Sequence, residues 1–325
     1  MFGITIGDPA GVGPEIVVKA MNDMSKYQEK YVVYGAVDIL QYYVTKFGLA
    51  EKIVEIQDPD EYKEGYLNVI DPNHLTMDQY EIGKCSGKCG DAAYQYVVSA
   101  IDASLSGKLK GVVTGPLNKE ALHLGGHNFD GHTEIFATRT NTQKYCMMFY
   151  GPMKIAHVST HCSLRTACDR VKKQRVLDVI ELLNQALQMT GMKKPLIAVA
   201  GLNPHAGEHG LFGTEEIEEV IPAIEEAKKE GINVVGPIPP DSCYKKHIDG
   251  EYDAVVAMYH DQGHIAAKLG NRDMCVNCTI GLPIIRTSVD HGTAFDIAGT
   301  GLADETNMEQ SMLCAEKFLK GNVKF

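Results

Sequence analysis

At 325 residues the chain exceeds what one hydrophobic core usually serves, so two domains are expected. Its 44% hydrophobic and 22% charged content is that of a globular enzyme, and a formal charge of -11 excludes nucleic acid or an acidic membrane surface as the main partner, because the long-range field repels both. No apolar run reaches the roughly eighteen residues of a membrane span, the first strand starts at Phe2 with no room for a signal peptide, and nine dispersed cysteines read as reduced thiols, so a cytoplasmic protein is expected.

Phe2–Ile6 reads as a strand that runs into Gly7-Asp8-Pro9-Ala10-Gly11-Val12-Gly13-Pro14-Glu15. Pro14 suits the first turn of a helix, but a third glycine of the dinucleotide fingerprint is missing and Glu15 would oppose a pyrophosphate there. Tyr31–Tyr34 and Val112–Thr114 follow as strands with a helix over Asp91–Leu105 between them, and Met147–Tyr150 and Ile155–Ser159 are the next strands. Val171–Met189 is a helix with Val176, Ile180, Leu183 and Leu187 on one face. After the strand Ile197–Ala200, a helix over Thr214–Glu230 carries Glu215, Glu216, Glu218 and Glu219 in its first turns, a solvated, dipole-matched start. Val234–Val235 and Ala254–Met258 are the last strands. This alternation predicts an α/β fold with a largely parallel sheet. With no long linker, the expected division is a discontinuous domain of 1–127 plus 275–325, closed around a second domain of 128–274.

Three apolar runs break off just before a histidine: Lys154–Thr160 before His161, Leu196–Leu202 before His205, and Ala254–Tyr259 before His260. Ligands gather beyond the carboxyl ends of strands in open α/β sheets, so the three can converge on one divalent metal with coordination positions left for substrate. The alternative is that each caps a buried strand. His264, four residues past His260, lines a pocket or caps the helix, with a fourth-ligand role conceivable. His123, His127, His209 and His247 have no supporting context and read as surface residues. Cys275 and Cys278 form a lone CxxC, read as core thiols.

Near the other end stands Asp290-His291-Gly292-Thr293-Ala294-Phe295-Asp296-Ile297-Ala298-Gly299-Thr300-Gly301, a loop able to pass close to an adenosine, or a plain glycine-rich connection. Paired with the Gly-Asp…Gly-x-Gly-Pro-Glu start, it resembles the isocitrate and isopropylmalate dehydrogenase superfamily. Gly131-His132-Thr133-Glu134, Asn203-Pro204-His205-Ala206-Gly207-Glu208, Met258-Tyr259-His260-Asp261-Gln262-Gly263 and Gly281-Leu282-Pro283-Ile284-Ile285-Arg286-Thr287-Ser288-Val289-Asp290-His291-Gly292 together resemble the 4-hydroxythreonine-4-phosphate dehydrogenase family over essentially the whole chain. His264-Ile265 stands where the vitamin B6 enzyme continues Leu-Pro, and is similar to the branch acting on D-threonate or D-erythronate 4-phosphate. Ala266 departs from that branch's usual Pro, and Met274-Cys275 is unusual for either.

The resemblance implies two α/β/α domains with a cleft between them, and a homodimer whose active sites draw on both subunits. It implies NAD held by His291, Gly292, Thr293 and Asp296, and a divalent ion (Zn, Mg, Mn or Co) on His161, His205 and His260. Substrate would be held by His132, Thr133, Lys268, Asn277 and Arg286. The chemistry implied is oxidative decarboxylation of a 4-phosphorylated hydroxy acid to dihydroxyacetone phosphate and carbon dioxide, with the vitamin B6 step as the alternative. Lys268 is the candidate proton shuttle because a lysine pKa falls on burial, and Asp241 and Asp261 are candidate orienting carboxylates.

Overall fold

The computed structural model describes residues 1–321, with only the backbone at Asn271 and Arg272. The chain runs β1 (Phe2–Thr5), α1 (Gly13–Met21), β2 (Tyr31–Tyr34), α2 (Val37–Phe47), β3 (Ile53–Glu55), β4 (Leu67–Ile70), α3 (Gly87–Leu105), β5 (Gly111–Thr114), α4 (Lys119–Leu124) and α5 (His132–Arg139). It continues through β6 (Cys146–Tyr150), β7 (Ile155–His157), α6 (Leu164–Arg170), α7 (Lys173–Met189), β8 (Ile197–Ala200), α8 (Ile221–Lys229), β9 (Val234–Ile238), α9 (Pro240–Ile248), β10 (Ala254–Ala257), α10 (His260–Asn271) and β11 (Val276–Ile280). β12 (Ile285–Ser288) and α11 (Thr306–Lys317) complete it.

Internal contacts divide the chain into two units, Met1–Gln143 with Leu282–Glu316, and Lys144–Gly281 with the segment that begins at Lys317. The first unit is discontinuous, and its bounds differ from 1–127 plus 275–325 in three places. Residues 128–143 lie in the first unit because α5 packs on α3, residues 275–281 lie in the second because β11 pairs with β6, and the segment from Lys317 joins the second, where Phe318 packs beside Tyr150.

In the first unit the strand order is β3-β4-β2-β1-β5-β12 and every pairing is parallel. Every residue of β1, β2, β5 and β12 is buried, whereas the edge strand β3 has none. Parallel strands covered on both faces read as continuous buried runs, and that is the pattern here. In the second unit the order is β11-β6-β7-β10-β8-β9. β7, β10, β8 and β9 run parallel, while β6 is antiparallel to both β11 and β7.

Chain breakers set the helix bounds. Val171 and Lys172 leave helical geometry, so α7 starts at Lys173 after a separate α6. The expected Thr214–Glu230 helix opens as a π-turn over Glu216–Val220 and becomes α8 only at Ile221, where Pro222 occupies the first turn. Among the described residues no helix is long and apolar enough to cross a membrane.

Candidate active site

In the second unit β10 lies between β7 and β8, all three pointing the same way. Their carboxyl ends therefore open on one side of the sheet, the side on which such folds place ligands. His161 follows β7 and His260 opens α10 directly after β10. Their rings stand 5.7 Å apart between centroids. Both line a cavity of about 320 Å³ with Thr160, Cys162, Leu164, Ala167, Tyr259 and Asp261. His260 Nδ1 lies 2.7 Å from Asp261 Oδ1, a contact in which Nδ1–H donates to the carboxylate and the Nε2 lone pair is left for a ligand. Gln262 fixes the turn by accepting from Met258 N at 2.7 Å and donating to the Gly201 carbonyl at 2.8 Å.

His205 follows β8, but its loop takes an unusual path. His205, Ala206, Gly207, Glu208 and His209 all have positive φ, between 42° and 82°. A left-handed turn costs L-residues about 1–2 kcal/mol each, so four non-glycine residues in this state need outside support. That support is Glu216, which the sequence placed on a solvated helix start. It is instead 1% exposed. Its carboxylate accepts from the Asn203 backbone N–H at 2.7 Å and from Asn203 Nδ2 at 2.8 Å, while Glu215 takes a second bond from Nδ2 at 2.7 Å.

Behind His260 lies a further layer that the sequence did not reveal. His264 stacks on His260 at 3.5 Å between centroids with 14° between planes, and its Nδ1 sits 2.9 Å from the His260 carbonyl. It does not line the cavity. It is 6% exposed, packs edge-on against Phe149 and beside His157, and burial with the neighbouring imidazoles pushes its pKa down to about 2. His157, at the end of β7, is also buried, its pKa pushed down to about 4 by burial, and its Nε2 has no hydrogen-bond partner among the described residues. Lys268 stands one turn beyond His264 and is exposed, where burial had been expected of it. Asp241 is exposed in the first turn of α9.

In the first unit, Arg286 on β12 is 4% exposed and donates from Nη2 to Thr114 Oγ1 at 3.0 Å, with its guanidinium 5.7 Å from the Phe136 ring centroid. His132 opens α5 nearby. Burial first, then the Arg286 charge, hold the His132 pKa well below the ordinary value, so the ring is neutral, and its buried Nε2 has no hydrogen-bond partner among the described residues. A neutral imidazole beside a buried guanidinium suits an anion with a hydroxyl. Thr133 is half-buried on α5. In the second unit Asn277, on β11, has a buried Oδ1 without a partner among the described residues.

The N-terminal turn and the 290–301 loop lock together in the first unit. Val12 N–H donates to the Thr293 carbonyl at 2.9 Å, and a Cβ on Gly11 would meet that oxygen at 2.7 Å. Glu15 is fully buried, paired with Lys19 at 2.9 Å and accepting from Ala303 N at 3.0 Å, which gives it a structural task in place of a role against pyrophosphate. Thr293 is thereby buried, whereas Gly292 and Asp296 are exposed and His291 half-buried, with open space around Gly292. An exposed carboxylate and a bare glycine fit the ribose and close backbone approach of a dinucleotide.

Other expectations need correction. His247 is not a surface residue: it is 6% exposed, accepts from Lys154 N at 3.0 Å, and its Nδ1 lies 2.7 Å from the Tyr252 carbonyl. His127 is half-buried, 2.8 Å from Asp91 Oδ1 and stacked on Tyr94. Cys275 and Cys278 are buried, as core thiols should be. Among the described residues no group of three or more His, Cys, Asp or Glu side chains is placed to hold a metal ion. His161 and His260 line one cavity, with Asp261 beside His260, and His205 is not among the residues that line it.

Comparison with known proteins agrees over the whole length. The family profile described as "Pyridoxal phosphate biosynthetic protein PdxA" matches residues 27–315. A Clostridium botulinum (strain Hall) protein named, provisionally, as a D-threonate 4-phosphate dehydrogenase is 44% identical over 322 residues, 98% of this chain and 96% of that protein. One from Oceanobacillus iheyensis with the same provisional name is 46% identical over 321 residues, 96% of each. The crystal structure of a 4-hydroxythreonine-4-phosphate dehydrogenase from Klebsiella pneumoniae superposes with a TM-score of 0.88 at 41% identity, covering 98% of this chain and 99% of that one. An isocitrate dehydrogenase from Methylococcus capsulatus, at TM-score 0.50 and 17% identity, shares the fold alone.

Proposed function

Since the chain belongs to the PdxA family and is an oxidoreductase, we propose that it oxidises a 4-phosphorylated hydroxy acid with NAD, and that the substrate is D-threonate or D-erythronate 4-phosphate. The observation that carries the reading is the His260–Asp261 pair facing His161 across a cavity at neighbouring strand ends. Relatives provisionally named for the threonate substrate, matched almost end to end, supply the substrate class.

Oxidation of the 3-hydroxyl puts a ketone two carbons from the carboxylate. Bound NAD would accept the hydride, and the hydroxyl proton goes to a base. Carbon dioxide can then leave with its bonding electrons delocalised onto the ketone oxygen, and protonation of the resulting enediol gives dihydroxyacetone phosphate. Arg286 supplies a planar, permanently charged fork for the anionic ends of the substrate. Neutral His132 and Thr133 hydrogen-bond beside it, and Asn277 offers its unpartnered Oδ1. Lys268 carries the proton, with Asp261 and Asp241 as orienting carboxylates. His291, Gly292, Thr293 and Asp296 would hold NAD, with Thr293 acting through its buried backbone. His161 and His260 would hold a divalent ion, with His205 supplied by a second copy of the chain. Such an ion polarises substrate oxygens as a Lewis acid.

Steady-state NADH production decides the substrate. We expect kcat/KM for D-threonate or D-erythronate 4-phosphate to exceed that for 4-phosphohydroxy-L-threonine on the order of a hundredfold, since sites built around one polar group discriminate strongly against a mispaired one. Equal efficiencies would remove the branch assignment, and a preference for the amino acid would favour the vitamin B6 reaction, the reading suggested by the name of the Klebsiella structure. Full activity after chelation, with metal content verified as nil, would remove the metal from the proposal.

A further inference from the structure

The buried carboxylate of Glu216 is not explained by the chemistry above. Its surroundings are shaped for it. A Cβ on Gly207 would come 2.8 Å from Glu216 Oε2, one on Gly201 would come 3.1 Å from Oε1, and one on Gly213 would collide with Asn203 Nδ2 at 2.5 Å. Three glycines thus leave room for one Asn–Glu clamp, drawn from both ends of the loop that carries His205. A formal charge hidden from water is costly unless it is hydrogen-bonded, and the two Asn203 donors meet that need while tying residue 203 to the π-turn that begins at residue 216. π-turns of this kind recur at functional sites.

We propose that Glu216 is the positioning residue for His205: through Asn203 it holds 205–209 in the left-handed path and fixes where that imidazole is presented. The functional half of this proposal rests on the reading of His205 as a metal ligand, but the clamp itself does not. The loop has its own reporters, the amides of Ala206, Leu211 and Phe212, which donate to Asn203, Glu208 and Gly207 carbonyls.

The test compares wild type, Glu216→Gln, Glu216→Asp and Asn203→Ala by hydrogen–deuterium exchange and by titration of the metal-free protein with cobalt(II), read by its visible spectrum. Gln turns an amide donor toward the Asn203 donors. The expected result is lost protection confined to 203–213, with cobalt affinity reduced about 10–100-fold, the usual effect of removing a group that orients a ligand. Glu216→Asp, which keeps both oxygens, should fall between wild type and Glu216→Gln. Unchanged protection in Glu216→Gln overturns the proposal, as does unchanged cobalt affinity with the wild type binding normally. If wild type binds no cobalt, the metal reading fails while the exchange data still decide the clamp. Should Glu216→Gln not fold, Asn203→Ala, which keeps the carboxylate and removes one donor, decides in the same terms.

Discussion

Asp8 shows how one side chain sets a pH dependence. It is fully buried, Oδ1 accepts from Ala10 N at 2.9 Å, and Oδ2 has no partner among the described residues. Burial pushes its pKa up from 3.8 to about 6. A raised carboxyl pKa means the fold prefers the protonated form, so its contribution is fully present below pH ~4 and is lost as pH rises through about 6. Asp8→Asn should therefore gain stability relative to wild type on going from pH 4 to pH 8, by about 3 kcal/mol at most, measured by urea unfolding at both values. A difference independent of pH would show that Asp8 ionises freely. At the same scale, His264 stands behind His260 and is not among the residues lining the cavity, which corrects the expectation that it lines a pocket. His264→Leu should lower kcat/KM for the threonate and the amino substrate together; a change in their ratio would give it a part in specificity.

Among the elements, α3 and α4 approach so closely that a Cβ on Gly90 would sit 1.9 Å from the Ala121 carbonyl oxygen. Gly90→Ala should cost about 1–3 kcal/mol by overpacking, whereas Gly292→Ala, with nothing within 4 Å, should leave stability unchanged. Equal unfolding midpoints for the two variants would show that the helices slide apart at no cost. The long amphipathic α7 and the apolar strands β1, β8 and β10 were legible because period and burial coincide. β3 escaped because it is three residues long, and β11 and β12 because Asn277, Thr279, Arg286, Thr287 and Ser288 interrupt any apolar run. Strand-end reasoning pointed to His161 and His260, which line one cavity. It had no access to the φ reversal at His205, whose loop lies against a glutamate eleven residues away that the sequence alone reads as solvated.

For the whole molecule, one chain lines the cavity with two imidazoles, and His205 is not among its lining residues. If the proposed second copy completes the site, mixing inactive His161→Ala and His205→Ala proteins should regenerate activity in hybrid assemblies. No recovery after demonstrated subunit exchange would confine each site to a single chain.

β12 has a consequence for synthesis. It is the parallel neighbour of β5, yet it lies about 170 positions later in the chain. At translation rates of roughly 5–20 residues per second, β5 waits roughly ten to thirty seconds for this partner. Through that interval its outer row of backbone donors and acceptors is an open edge, ready to pair with any extended segment nearby. Residues 144–281 of the second unit are made during the delay. A nascent chain stalled before Ile285 should thus be a client for holding chaperones, and heterologous yield should depend on them more steeply than the finished fold would suggest.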